Sequence, residues 1–191
     1  MLIDHRNKFP EMFNDMGLDG IGVEVGVHQG VYSDKILKTW KGKKLYLIDS
    51  WKRIENAVDF INDIDKNGYL NAMAQTFMKV YDYGSKAVII RESSVEAARL
   101  FSDWSLDFVY IDASHDYNNV KNDLNAWYPK VKTGGVVSGH DYANGTWEYP
   151  KGFVMLEVKK AVDEFFKEIP IAYTKEEISE TFPSWYVIKG E

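Results

Sequence analysis

Cysteine is absent from all 191 residues. Its absence excludes disulfides, thiolate nucleophiles and cysteine zinc sites, and makes a reducing, cytoplasmic setting the default expectation. No apolar run approaches the ~20 residues of a bilayer span, and the opening Met1-Leu2-Ile3-Asp4-His5-Arg6 lacks the apolar core of a secretory leader. No membrane partner is expected. Basic charge is in deficit: 23 Lys and Arg against 29 Asp and Glu give a net charge of −6, a field that repels phosphate backbones and argues against nucleic acid as a partner. What remains is an ordinary globular composition, 45% apolar and 15% aromatic, enough for one domain over residues 1–191 with a full core.

Short β-branched runs alternate with amphipathic stretches, the pattern of a mostly parallel sheet whose crossovers are helices. Strands are expected near residues 21–25, 44–49, 86–91, 106–111, 135–139, 170–174 and 184–189. The last two follow one another too closely for a parallel crossover and so form an antiparallel pair. Residues 1–20 read as a helical lead-in. Helical spacing marks buried stripes of Leu70, Met73, Ala74, Phe77, Met78 and Tyr81, of Val120, Leu124 and Trp127, and of Val158, Val162 and Phe165. Ser93 and Glu96 have capping-box spacing before Ala97 and Ala98. The segment 53–83, longer than a crossover needs, reads as two helices, the first able to cover a site. Residues 142–150 read as an aromatic, flexible loop.

The functional signature is Ile21-Gly-Val-Glu-Val-Gly-Val-His-Gln-Gly30, with Asp49 ending the next apolar run. An apolar strand entering a glycine turn brings backbone amides close to a ligand, and an acid at the tip of the following strand can hold both ribose hydroxyls. These features point to an adenosine-containing ligand. Glu24 would repel a diphosphate but suits a cationic amino acid group, directly or through water. An NAD-dependent oxidoreductase is the first rival, disfavoured by Glu24 and by the missing Gly-x-Gly-x-x-Gly; a non-catalytic nucleoside-binding module is the second.

Glu24-x-Gly26-x-x-x-Gly30 followed by Asp49 resembles the class I S-adenosylmethionine-dependent methyltransferases, with His28 at the usual middle glycine. The resemblance implies a Rossmann-like, seven-stranded, mostly parallel sheet with helices on both faces and the antiparallel strand pair at the C-terminus. It places Glu24, Gly26, Val27 and Gly30 around the methionine part and Asp49 on the ribose. Ser50, Trp51, Ser93, Ser94 and Asp112 complete the expected cofactor set, Ser93 and Ser94 towards adenine; Trp51 alternatively packs under the loop, and one serine alternatively caps a helix.

From Leu106 to Tyr142 the chain is similar to the macrocin O-methyltransferase-like group, through Asp112-Ala-Ser-His115-Asp116-Tyr117, Trp127-Tyr128-Pro129 and Gly134-Gly135-Val-Val-Ser-Gly-His140-Asp141-Tyr142. A small-molecule acceptor is implied, sugar hydroxyls included. Asp112, His140 and Asp141 should project from the carboxyl edge of the sheet, with His115 on the Asp112 loop. A sulfonium methyl is already electrophilic, so the protein must align an oxygen with it and help that oxygen lose its proton. Similarity to the metal-dependent O-methyltransferases makes Asp112 and Asp141 ligands of a divalent cation, magnesium first, with His140 as a third donor. His115 is the first choice of general base and His140 the second. The plainer alternative has Asp112 capping a helix and the histidines and Asp141 bonding loop backbone. A homo-oligomer is compatible with the sequence.

Overall fold

The computed structural model describes residues 3–53, 65–149, 152–175 and 182–190. The first of the two helices expected within 53–83 falls largely outside them.

Five strands, β1 (Ile21–Val25), β2 (Lys44–Asp49), β3 (Ala87–Arg91), β4 (Leu106–Ile111) and β5 (Val131–Gly139), run parallel. After the hairpin β6 (Gly145–Tyr149) and β7 (Gly152–Leu156), β8 (Ala172–Tyr173) and β9 (Trp185–Ile188) complete the sheet in antiparallel sense, in the order β3-β2-β1-β4-β5-β9-β8. This is the expected Rossmann-like arrangement. The chain runs from β1 outwards to β3 and then returns to the other side of β1 with β4. That reversal opens a crevice above the carboxyl ends of β1 and β4, where open α/β sheets bind ligands.

Helices cover both faces because the strands carry apolar side chains on both faces. One core joins α1 (Phe9–Asp15), α2 (Val31–Thr39) and α3 (Lys66–Val80) to Leu45, Phe108 and Tyr110; Phe13 stacks on Phe108 with ring centroids 4.0 Å apart. The other joins α4 (Ser94–Ala98), α5 (Tyr117–Trp127) and α6 (Val158–Phe165) to Val23, Val109 and Val137. The lead-in is a 3-10 turn, Arg6–Lys8, followed by α1. Among the described residues no helix is long and apolar enough to cross a membrane.

Four local expectations are corrected. The α3 stripe is turned: Tyr69, Ala72, Thr76 and Val80 are buried, whereas Leu70, Phe77, Met78 and Tyr81 are exposed. Helix α3 lies against the glycine turn, where a Cβ on Gly30 would stand 3.0 Å from Thr76 Cα, so its small-residue face packs inwards. Strand β5 begins at Val131, and its pairing jumps from Leu106↔Val131 to Phe108↔Val136, with Gly134 at φ 76° in the irregularity. Residues 145–149 are a strand, and Trp147 packs on Phe182, ring centroids 4.7 Å apart. Helix α4 starts as expected, but Ser93 makes no side-chain cap bond and Glu96 pairs with Arg99, so the capping box does not form.

Candidate functional site

The crevice begins where β1 ends. Gly26 has φ 88°, and a Cβ there would lie 1.9 Å from the Asp112 carbonyl oxygen. Only glycine lets this turn rest on the end of β4. Gly30, at φ 71°, caps α2. Between them His28 adopts φ 50°, in the left-handed region that favours glycine. Three hydrogen bonds hold its backbone: its N–H donates to Asp49 Oδ2 (2.8 Å), and its carbonyl accepts from Trp51 Nε1 (2.7 Å) and Thr76 Oγ1 (2.9 Å).

Asp49 is fixed on both oxygens, since Oδ1 accepts the Trp51 N–H at 2.7 Å. Burial pushes its pKa up, and the amides of Trp51 and His28 only partly counter this. Each oxygen keeps a lone pair for a ribose hydroxyl. The Trp51 ring is buried in the α1–α3 core, Val27 packs there too, and the Ser50 hydroxyl points to the Lys52 carbonyl. Trp51 therefore braces the turn through its indole N–H, and Val27 can meet a cofactor only through its backbone.

Glu24 is 1% exposed, and Ser33 Oγ donates to its carboxylate at 2.5 Å. Burial pushes its pKa up to about 8, outweighing the Ser33 bond and the charge of Arg6. On the far side of β2, Ser93 donates its N–H to Glu92, while Ser94 Oγ accepts from Trp127 Nε1 at 2.9 Å and so ties α4 to α5.

Beyond β4 lies the polar cluster. Asp141, at φ 53°, presents Oδ2 to His115 Nε2 at 3.0 Å and Oδ1 to His140 Nδ1 at 3.2 Å; Asp112 Oδ1 is 3.8 Å from the same His140 nitrogen. Burial alone would raise the Asp141 pKa, but the two imidazoles win and hold it far below the usual carboxylate range. For His140 burial works downwards, and Asp112 and Asp141 outweigh it to raise the pKa. The His115 loop is anchored by the Glu157 N–H, which donates to the His115 carbonyl at 2.9 Å, and by Glu157 Oε2, which accepts from the Tyr117 N–H at 3.2 Å.

One donor atom each from Asp112, His115 and Asp141 lies within 4.8 Å of the others. Two carboxylates and an imidazole suit a divalent cation of hard or borderline character. His115 thus enters the convergent group, with His140 beside it against Asp141. Two residues at the cluster escaped sequence reasoning. Arg6 places Nη1 3.1 Å from Asp112 Oδ2, and Trp185 lines the same cleft from β9. Arg6 lies 106 residues from its partner, so no spacing signal could have linked them.

Residues 23–142 match the family model described as a methyltransferase domain. Two curated relatives align with the chain. An uncharacterized protein of Sinorhizobium fredii is 26% identical over 66% of this chain and 14% of its own length; one of Acanthamoeba polyphaga mimivirus is 28% identical over 57% and 51%. The chain therefore spans about half or less of these relatives. Among solved structures, an rRNA methylase of Streptococcus thermophilus superposes with a TM-score of 0.66 at 13% identity, each chain covered fully. A Streptococcus mutans protein in complex with S-adenosylhomocysteine gives 0.63 at 12%, covering 97% of this chain and 98% of that one. At such identities the likeness is one of fold. The match across residues 23–142, well over half of the chain, shows that the chain belongs to the methyltransferase domain family.

Proposed function

We propose that the protein transfers the methyl group of S-adenosylmethionine to a hydroxyl of a small molecule, a sugar or another metabolite, with help from a divalent cation. The observation that carries this reading is the convergence of Asp112, His115 and Asp141 within 4.8 Å at the crevice edge, directly behind the glycine turn. The turn and Asp49 hold the nucleoside and aim the sulfonium methyl towards that cluster. The acceptor oxygen attacks in line: an O–C bond forms, the S–C bond breaks with its electron pair going to sulfur, and the hydroxyl proton passes to an imidazole. A cation held by the three donors would lower the hydroxyl pKa and fix its direction. His140, held by Asp141, then accepts the proton.

A second reading rests on the His115 Nε2 to Asp141 Oδ2 contact of 3.0 Å. A carboxylate-oriented imidazole is a general base in its own right, and His115 then takes the proton without a cation. The net charge of −6 favours a small acceptor over RNA.

The test is release of labelled methyl from S-adenosylmethionine across a panel of sugars, catechols and ribosomal RNA, with and without a chelator. The expected result is transfer to a hydroxyl compound that falls at least ~100-fold on chelation and in Asp141→Ala. Transfer that survives chelation removes the cation and leaves the His115 base; transfer to RNA alone removes the small-molecule reading. Calorimetry with S-adenosylhomocysteine and NAD addresses the two rivals, because a preference for NAD would mark an oxidoreductase and cofactor binding without turnover would mark a binding module.

A further inference from the structure

We propose that two copies of the chain pair through the outer face of α3, antiparallel about a two-fold axis at Ala74. Helix α3 is apolar on two faces. The inner face, with Tyr69, Ala72 and Val80, is buried in the core shared with α1 and α2, and Thr76 on it holds the His28 carbonyl. The outer face carries Leu70, Ala74, Phe77, Met78 and, at the C-cap, Tyr81. Leu70, Phe77, Met78 and Tyr81 are 42%, 55%, 77% and 67% exposed. A surface helix needs one apolar face, and a second one calls for cover. Helical spacing in the sequence marks this outer stripe as buried, and a partner is what buries it.

The size of the stripe fits a protein contact. Its four large side chains expose on the order of 400 Å² together, about half of the roughly 800 Å² that each partner gives to a stable interface. Asn67, Asn71 and Gln75, exposed along one flank, supply part of the polar rim. The Phe77 and Tyr81 rings lie 5.6 Å apart, centre to centre, and form one aromatic projection. Aromatic and methionine side chains are the usual anchors of such contacts.

The order of residues along α3 selects a second copy as the occupant. Ala74, the smallest residue of the stripe, lies at its middle, with Leu70 and Met78 one turn to either side. Exposed Lys66, at the start of α3, and exposed Asp82, just past its end, lie about two turns to either side and carry opposite charges. Antiparallel pairing about Ala74 sets Leu70 of one copy level with Met78 of the other, and Lys66 level with Asp82. Each end of the contact then meets its opposite charge, and the helices approach closest where the side chain is smallest. An isologous contact requires this self-complementarity, which an unrelated partner does not. The contact also backs the glycine turn in each copy, through Thr76 on the inner face of the same helix.

The test is sedimentation velocity of the whole chain from low to high micromolar concentration, where a monomer–dimer equilibrium is expected. Ala74→Arg sets like charges against each other on the axis and should weaken the dimer at least ~100-fold. Lys79→Glu, on the exposed side of α3 away from the stripe, should leave it within about 2-fold. Lys66→Glu should weaken pairing by about 3- to 10-fold, and adding Asp82→Lys should restore it. The chain has no cysteine, so Ala74→Cys introduces a single thiol on the axis. Helices packed about 8–10 Å apart bring facing Cα atoms within disulfide reach. Mild oxidation should therefore join two copies through Ala74→Cys and not through Lys79→Cys. A chain that stays monomeric throughout overturns the proposal and gives the stripe to another occupant, a further stretch of a longer chain or a different protein. A dimer that survives Ala74→Arg, or that crosslinks equally through Lys79→Cys, overturns it too.

Discussion

Asp49 and Asp141 both sit at the carboxyl end of a strand, yet Asp49 takes its short hydrogen bonds from the backbone amides of His28 and Trp51, whereas Asp141 meets the imidazoles of His115 and His140. Amides cannot leave or change charge. Imidazoles can turn, titrate or accept a cation in place of a carboxylate. The half of the crevice we propose for the cofactor is therefore held by the main chain, and the half we propose for the acceptor by side chains whose bonds can be exchanged.

The two halves press together at Gly26, and breaking that contact should give the largest effect. Gly26→Ala would drive a Cβ to 1.9 Å from the Asp112 carbonyl, and φ 88° already disfavours any side chain. Relief requires the turn and the Asp112 loop to part, at a cost on the order of 3 kcal/mol or more. A urea midpoint and cofactor affinity both equal to wild type would show that the halves are not coupled here.

The comparison sharpens with the two acids themselves. Asp49→Ala removes the ribose acceptor and the anchor of the His28 amide, and should cost roughly 100-fold in S-adenosylhomocysteine affinity. Asp141→Ala should leave that affinity within about 3-fold while abolishing methyl transfer. Calorimetry on the two variants decides it, and equal losses of affinity would erase the proposed division of labour.

Glu24 offers a smaller, pH-dependent test. Its folded-state pKa of about 8 lies above its ordinary value of 4.5, so between these values the folded protein holds a proton that the unfolded chain releases. Stability should therefore fall as pH rises through that window, and the loss is complete above about pH 8. Glu24→Gln keeps an acceptor for Ser33 and removes the titration. The variant should match wild type near pH 4 and be the more stable of the two at pH 9, read from urea midpoints. Parallel pH profiles of the two proteins would show that Glu24 is not the buried, neutral group inferred here.

The glycine turn and the place of Asp49 were legible because their signal is local: Glu24 to Gly30 runs from the end of one strand through one turn, and Asp49 closes the next strand. The parallel sense of the sheet followed from alternation with helices, its Rossmann-like order from the family resemblance, and the His-Asp pair at 140–141 stood out because its members are adjacent. What was missed depends on distance or on polar burial. Arg6 reaches its partner across 106 residues. Thr76 is buried because its hydroxyl bonds the Ala72 and His28 carbonyls, so hydropathy counting put the apolar stripe of α3 on the wrong face. Pro150 after Gly145-Thr-Trp-Glu-Tyr149 disguised the β6–β7 hairpin as a loop.

The smallest effect probes how far backbone bonding alone maintains the cofactor half. His28 occupies a left-handed conformation that costs a non-glycine residue about 1–2 kcal/mol, and the three bonds it makes to Asp49, Trp51 and Thr76 all use its main chain. Those bonds survive His28→Gly. Relief of the backbone strain is opposed by the greater freedom glycine gives the unfolded chain, worth about 0.4–1 kcal/mol. The variant should therefore be no less stable than wild type and gain at most about 1.5 kcal/mol in urea unfolding, with S-adenosylhomocysteine affinity within about 2-fold. A larger loss of affinity would give the imidazole a contact of its own with the cofactor. The rigid half of the crevice would then depend on a side chain as well, and the contrast with Asp141 would narrow.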